Sequence, residues 1–145
     1  MGLFSRIKSA FVGGGEKTPL WQVPTSDGDI DRIFDASLER PQLIYKHSSA
    51  CTLSWASRSN LEAESRAIRD EADAHYIDVL RDRALSDRVA EMAEVPHQSP
   101  QGLLVYGGEV VWEASHLSVR AEAVLDALRR IGPAPRVGDD HSSSA

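Results

Sequence analysis

The sequence has only one cysteine, Cys51, among 145 residues. A single thiol excludes an intramolecular disulfide, a zinc site built on several cysteines and the two-cysteine C-x-x-C redox motif. It also excludes a secreted scaffold held together by disulfides. We therefore expect a reducing compartment, and the predicted location is the cytoplasm.

Basic charge and long apolar runs are also scarce. The formal net charge is −6 and no basic patch stands out, so a nucleic-acid partner is not expected. Near the amino terminus Leu3, Phe4, Ile7 and Phe11 share one helical face, but this stretch is too short for a signal peptide or a membrane span. Arg6 stands where a myristoylation motif needs Ser or Thr. A membrane partner is not expected, although a surface-docking helix here stays open beside a frayed terminus.

Composition divides the chain into three segments. Residues 1–19 form an extension that includes a flexible Gly13–Gly15 linker. Residues 20–132 are expected to form one domain, since the chain is 41% hydrophobic and 26% charged, as soluble globular domains are. Residues 133–145 are rich in Pro, Gly and Ser and are expected to be a disordered tail.

The apolar spacing within the domain predicts the order helix, strand, helix, strand, helix, strand, strand, helix. The predicted elements are a helix capped by Asp29 and extending to Leu38, a strand at 42–46, a long helix from Cys51 to about Glu71, a strand at 75–79, a short helix capped by Ser86 and ending before Pro96, strands at 103–106 and 110–112 joined by Gly107-Gly108, and a helix at 118–131. Strands separated by helices run parallel, whereas hairpin strands run antiparallel. The prediction is therefore an α/β fold with a four-stranded mixed sheet and helices on both faces, the thioredoxin-like arrangement.

Cys51 lies at the predicted junction between a strand and a helix. Unpaired N–H groups of the first helical turn and the helix dipole favour a thiolate there, so the predicted chemistry is thiol–disulfide exchange rather than that of a buried structural thiol. Ser54, three residues on, either donates its hydroxyl to the thiolate or is simply solvated. Lys46 and His47 either raise the local positive potential or are a strand end and a structural histidine.

Pro100 precedes the first strand of the hairpin. A thioredoxin-like fold places a cis-proline at this position, so the Ser99-Pro100 bond is predicted to be cis. The backbone of Ser99 would then face an incoming disulfide.

Two segments of the sequence carry a family resemblance. Lys46 to Ser54, KHSSACTLS, resembles the active-site segment of the monothiol bacilliredoxins, and His97 to Gln101, HQSPQ, resembles the segment around that family's cis-proline. Trp112 and the Ser115-His116 pair fit its hairpin and following loop. The sequence departs from the family at Ser49, where threonine is frequent, and in its two terminal segments.

The resemblance implies a monothiol oxidoreductase that removes or exchanges bacillithiol on protein mixed disulfides. Its partners would be a low-molecular-weight thiol and bacillithiolated proteins, with bacillithiol as co-substrate and no tightly bound cofactor or metal. The implied catalytic residues are Cys51, Ser54, His47 and Lys46, and the implied thiol- or substrate-binding residues are Ser99, Pro100, Gln101, His97 and His116.

Three other functions are alternatives to a monothiol oxidoreductase. A non-catalytic thioredoxin-like binding module would use the same fold and stays open. A monothiol glutaredoxin-like iron–sulfur carrier is disfavoured, because Thr52 stands where that family has glycine. A phosphatase or arsenate-reductase loop needs C-x₅-R, but Ser57 occupies the arginine position and Arg58 comes one residue late.

Overall fold

A computed structural model describes residues 19–132 of the chain. The predictions for the amino-terminal extension up to residue 18 and for the tail from residue 133 lie outside the described residues. The described elements are β1 (Trp21–Gln22), α1 (Asp27–Ala36), β2 (Gln42–His47), α2 (Thr52–Ala63), α3 (Ser65–Glu71), β3 (Asp73–Asp78), α4 (Arg83–Ala93), β4 (Gln101–Tyr106), β5 (Glu109–Ser115), a 3₁₀ turn (His116–Ser118) and α5 (Ala121–Ile131).

The strands form one mixed sheet in the order β1-β3-β2-β4-β5. β1, β3 and β2 run parallel, whereas β4 is antiparallel to both β2 and β5. The predicted number of four strands is wrong, because β1 adds a fifth by pairing Trp21 with Ala74 and Gln22 with His75. Two residues are too few to show the alternation by which a strand is recognised in a sequence.

Several predicted helix boundaries are also wrong. α1 is capped by Ser26, whose Oγ accepts a hydrogen bond from the Asp29 N–H at 3.1 Å, so Asp29 lies inside the helix. α4 begins at Arg83, and Ser86 is a buried residue within it. The predicted long helix after Cys51 is two helices that meet at Glu64, whose φ of −112° and ψ of 30° are not helical.

The hairpin is confirmed. Gly107 and Gly108 have φ of 68° and 84°, a left-handed conformation that glycine adopts without steric cost. This pair of positive angles suits the right-handed twist of a tight hairpin, so β4 and β5 pair side by side.

Two apolar clusters cover the two faces of the sheet. One joins the sheet to α2, α3 and α5, and the other joins it to α1 and α4. Adjacent residues of β2 enter different clusters, Tyr45 the first and Ile44 the second, because successive side chains of a strand point to opposite faces. Leu38 was predicted on the buried face of the first helix, but it is 47% exposed because α1 ends at Ala36.

No helix in the described part of the chain is long and apolar enough to cross a membrane.

Candidate active site

Cys51 is the residue that immediately precedes α2, in an extended conformation and half-buried. The backbone N–H of Ser54 is the main cause that lowers the pKa of the Cys51 thiol. Partial burial opposes this effect, while the N–H of Leu53 and the hydroxyl of Ser54 lower the pKa further. The groups that stabilise the thiolate therefore all come from the first turn of α2.

Ser54 is fully buried and connects the sulfur to the preceding loop. Its Oγ accepts a hydrogen bond from the Ser48 N–H at 3.2 Å, so its own proton can be donated to the thiolate. Cys51 also donates its N–H to the Ser48 carbonyl at 3.0 Å. Ser54 thus fixes the short loop around Cys51 and also lowers the pKa of its thiol.

Lys46 lies on the face of the sheet opposite to α2. Its Nζ donates to the Ser86 carbonyl at 3.0 Å and lies 3.4 Å from His97 Nδ1. Burial lowers the pKa of Lys46 to about 8. The structure therefore places Lys46 beside His97 and Ser86. Lys46 is not one of the groups that lower the pKa of Cys51.

His47 shares the α2 face with Tyr45 but is fully buried. Its Nδ1 lies 3.1 Å from Tyr45 Oη, and its ring meets the edge of Trp55 at 4.6 Å between centroids. Burial, followed by the charge of Arg58, lowers its pKa, so His47 is neutral near pH 7. The structure thus places His47 beside Tyr45 and Trp55 as an uncharged side chain, whereas the sequence allowed it to supply positive charge near Cys51.

The Ser99-Pro100 peptide bond is cis, as predicted. β2 and β4 pair Lys46 with Gln101, and this register, continued by one residue, sets Pro100 beside His47. The Pro100 carbonyl accepts a hydrogen bond from the His116 N–H at 2.9 Å. The Pro100 segment therefore lies at the end of β2 from which the Cys51 loop departs.

Four further predicted binding residues have different surroundings. Gln101 is buried and donates its amide to the Pro96 carbonyl at 3.0 Å, so it braces the Pro100 segment. The side chains of His97 and His116 are both exposed. Ser99 has a buried Oγ that makes no hydrogen bond among residues 19–132.

Comparisons with known proteins identify the family. The family model described as "Monothiol bacilliredoxin BrxC" matches residues 24–124. The chain belongs to the monothiol bacilliredoxin family.

Solved structures similar to this bacilliredoxin share its fold. One, described as an oxidoreductase candidate with a thioredoxin fold, is 25% identical with a TM-score of 0.65, covering 74% of this chain and 93% of its own. Thioredoxin from Fasciola hepatica is 13% identical with a TM-score of 0.61, over 75% of this chain and 97% of that one. A mutant thioredoxin from Halobacterium salinarum is 18% identical with a TM-score of 0.60, over 85% and 99%. The predicted thioredoxin-like fold is thereby confirmed.

Tyr45 is a neighbour of this bacilliredoxin's site that the sequence did not reveal. Its Oη donates a hydrogen bond of 2.6 Å to the Ser54 carbonyl, and its ring stacks on Trp21 at 5.3 Å. Burial is the main cause that raises its pKa, so the phenol keeps its proton. Alternation along β2 could have placed Tyr45 beneath α2, but the bond to Ser54 depends on where that helix begins.

Trp55 and Arg58 form a second support for the loop that carries Cys51. Trp55 Nε1 donates to the Ser49 carbonyl at 3.0 Å and so holds the loop before Cys51. The Arg58 guanidinium lies 5.6 Å from the centre of the Trp55 ring and 4.8 Å from that of Tyr76, within cation–π range. Their spacing of three residues on α2 is the only signal that the sequence offered.

Among residues 19–132 no group of three or more His, Cys, Asp or Glu side chains is arranged to hold a metal ion.

Proposed function

We propose that this bacilliredoxin removes bacillithiol from protein mixed disulfides, or exchanges it on them, through Cys51. The observation that carries the proposal is the thiol at the start of α2, whose pKa is lowered by two backbone N–H groups and the Ser54 hydroxyl. The family match supports a thiol oxidoreductase, and the single cysteine of the chain supports a one-thiol cycle.

The first step is attack of the Cys51 thiolate on the bacillithiol sulfur of the mixed disulfide. An S–S bond forms between Cys51 and bacillithiol while the original S–S bond breaks, and the protein thiolate leaves and takes a proton from water. The substrate protein is thereby reduced, and Cys51 now carries the disulfide. A lowered pKa increases the thiolate fraction of Cys51 at neutral pH.

The second step needs a thiol from outside the chain, because Cys51 is the only cysteine. The thiolate of a second small thiol attacks the bacillithiol sulfur, forms a small-molecule disulfide and releases Cys51 as thiolate. A thiol of low pKa leaves faster, so the groups that stabilise the Cys51 thiolate favour this release. The cytoplasmic location stays a prediction, with the lone cysteine as its basis.

The proposal is tested by incubating the chain with a bacillithiolated protein and measuring intact masses. Wild type should gain one bacillithiol, located on Cys51, while the substrate protein loses it. Cys51→Ala should gain none, and Ser59→Ala, an exposed position on α2, should behave as wild type. Release of the substrate by Cys51→Ala at the wild-type rate would rule the mechanism out.

A further inference from the structure

A groove runs along α2 beside the candidate active site. Its volume is about 360 Å³, and one wall is α2 while the other is the 3₁₀ turn and the residues that follow it. The residues that line this α2 groove are Leu53, Ala56, Ser57, Asn60, Leu117, Val119 and Arg120. We propose that the α2 groove binds the carboxylate end of the small thiol that is joined to Cys51, with Arg120 as its anchor; this inference rests on the proposed function.

One end of the α2 groove lies at the first turn of α2, which directly follows Cys51. Leu53 lines it and also supplies one of the backbone N–H groups directed at Cys51. Asn60, at the other end, lies nine residues beyond Cys51, which corresponds to about 13 Å along a helix. A molecule linked to Cys51 by a disulfide therefore starts two residues from Leu53 and can extend along the groove towards Asn60.

The polar groups at the far end are donors. Arg120 forms no ion pair among residues 19–132. Asn60 uses its Oδ1 to accept the Ala121 N–H at 2.7 Å, so its amino group is left to donate. No acidic residue of the described part of the chain lines the groove. This set complements a carboxylate, which a guanidinium binds with charge-assisted hydrogen bonds.

Apart from Ser57, the rest of the lining is apolar, and the groove is of the right size for a small molecule. Leu117 is 73% exposed, and Val119 is fully buried against the floor. A volume of about 360 Å³ falls within the range of small-molecule sites, roughly 300–1,000 Å³. Because the disulfide tethers the ligand, its effective concentration near Arg120 reaches the millimolar range, so weak contacts suffice. Bacillithiol and glutathione both carry carboxylates and so share the required chemistry.

The test compares disulfides with and without carboxylates. Wild type, Arg120→Ala and the control Arg129→Ala are mixed with oxidised bacillithiol, oxidised glutathione or hydroxyethyl disulfide, which has no carboxylate. The readout is the rate at which Cys51 gains each small thiol, expressed as the ratio of the carboxylate-bearing to the neutral disulfide. Arg129 suits the control because it is exposed on α5 and lies outside the groove.

Arg120→Ala should lower this ratio roughly fivefold, the size of one solvent-exposed ionic contact. The loss should shrink at high salt, which screens the contact, and Arg120→Lys should retain part of the ratio. A larger fall for oxidised bacillithiol than for oxidised glutathione would assign the groove to bacillithiol, and the reverse to glutathione.

The experiment distinguishes failure of the proposed function from failure of the groove proposal. If wild type gains no small thiol from any of the three disulfides, the proposed function fails and the groove proposal with it. If wild type reacts but Arg120→Ala keeps the wild-type ratio, or Arg129→Ala lowers it equally, the groove proposal alone is overturned. It is also overturned if Arg120→Ala slows exchange only with a bacillithiolated protein, because the groove would then serve the protein partner.

Discussion

Ser54 contributes two groups to the Cys51 sulfur, its backbone N–H and its hydroxyl. The Ser54 carbonyl accepts a hydrogen bond from the Tyr45 hydroxyl at 2.6 Å. The buried Tyr45 side chain therefore fixes the helical turn that carries these two groups. Lys46 is directed to the other face of the sheet, and His47 is neutral. At the scale of single residues, the ionisation of Cys51 is therefore set by the end of a helix and not by a neighbouring cation.

Replacing Ser54 by alanine should raise the pKa of Cys51, because the thiolate loses one hydrogen-bond donor while the backbone N–H groups remain. The change also leaves the Ser48 N–H without its acceptor, so a small loss of stability should accompany it. The measurement is the thiolate absorbance, or the alkylation rate, against pH. An unchanged titration in Ser54→Ala, or an equal shift in Ser59→Ala, would contradict the assigned role.

At the scale of elements, β2 determines what each face of the sheet receives. All six of its residues are buried, and their alternation sends Tyr45 towards α2 and Lys46 towards α4. The Lys46 amine thus loses most of its contact with water and keeps the Ser86 carbonyl and His97 as neighbours. Burial outweighs the charge of Asp87, which acts in the opposite direction, and so accounts for the pKa of about 8.

This burial makes the stability depend on pH. Between about pH 8 and 10.5 the unfolded amine holds its proton while the native amine has released it, so the unfolded state binds more protons and stability rises with pH. The full effect of the shift is about 3 kcal/mol. Below pH 8 both states are protonated, and the cost of the buried charge is present in full.

The experiment compares Cys51→Ala with the double variant that adds Lys46→Met. The first change removes the thiol as a second titrating group, and Met keeps most of the length of the lysine. Urea unfolding from about pH 7 to about pH 10 should show stability rising in Cys51→Ala and a flatter curve in the double variant. Parallel curves would mean that Lys46 keeps an ordinary pKa in the folded chain.

The elements that the sequence predicted are those with a clear period or a strong turn signal. The Gly107-Gly108 turn was predicted at its position, and the predicted strand at 42–46 ends one residue before β2 does, whereas β5 extends three residues beyond its predicted end at 112. The missed elements had no local signal. β1 is a strand only because its two residues pair with the edge of β3. The break at Glu64 interrupts a stretch whose composition favours a continuous helix.

At the scale of the whole molecule, the sheet separates two apolar clusters that have different helices. Ile30 of α1 is fully buried in one, and Ile68 of α3 is fully buried in the other. The two clusters share no residue. A substitution in one cluster should therefore affect the packing of the other only through the sheet. The candidate active site belongs to the side of α2.

Ile30→Val and Ile68→Val should each lower the free energy of unfolding by about 0.5–1.5 kcal/mol, since each removes one buried methylene. The two losses should add in the double variant to within about 0.5 kcal/mol, because the residues share no contacts. The measurement is urea unfolding of the four proteins in the cycle. A coupling of about 1 kcal/mol or more would show that the two clusters respond as one.

Part of the candidate site could also be predicted from the sequence. The position of Cys51 before a helix and of Ser54 in its first turn follows from local pattern, and both meet in the structure. The surroundings of Lys46 and His47 could not be predicted in this way, because they depend on strand alternation together with the exact end of β2. Arg120 was not singled out, since only the packing of the 3₁₀ turn against α2 brings it near.

The alternation of β2 has a consequence for changes in chain length. Tyr45 and Lys46 are neighbours in sequence, yet one donates to the Ser54 carbonyl below Cys51 and the other to Ser86 on the opposite side. Deleting one residue early in β2, with the rest of the sheet unchanged, would shift the register by one and exchange the two faces. The Lys46 ammonium would then take the place of the Tyr45 phenol below Cys51, and the His47 imidazole would take the place of Lys46 beside His97. The length of this strand therefore determines the chemistry of both faces as much as its residues do.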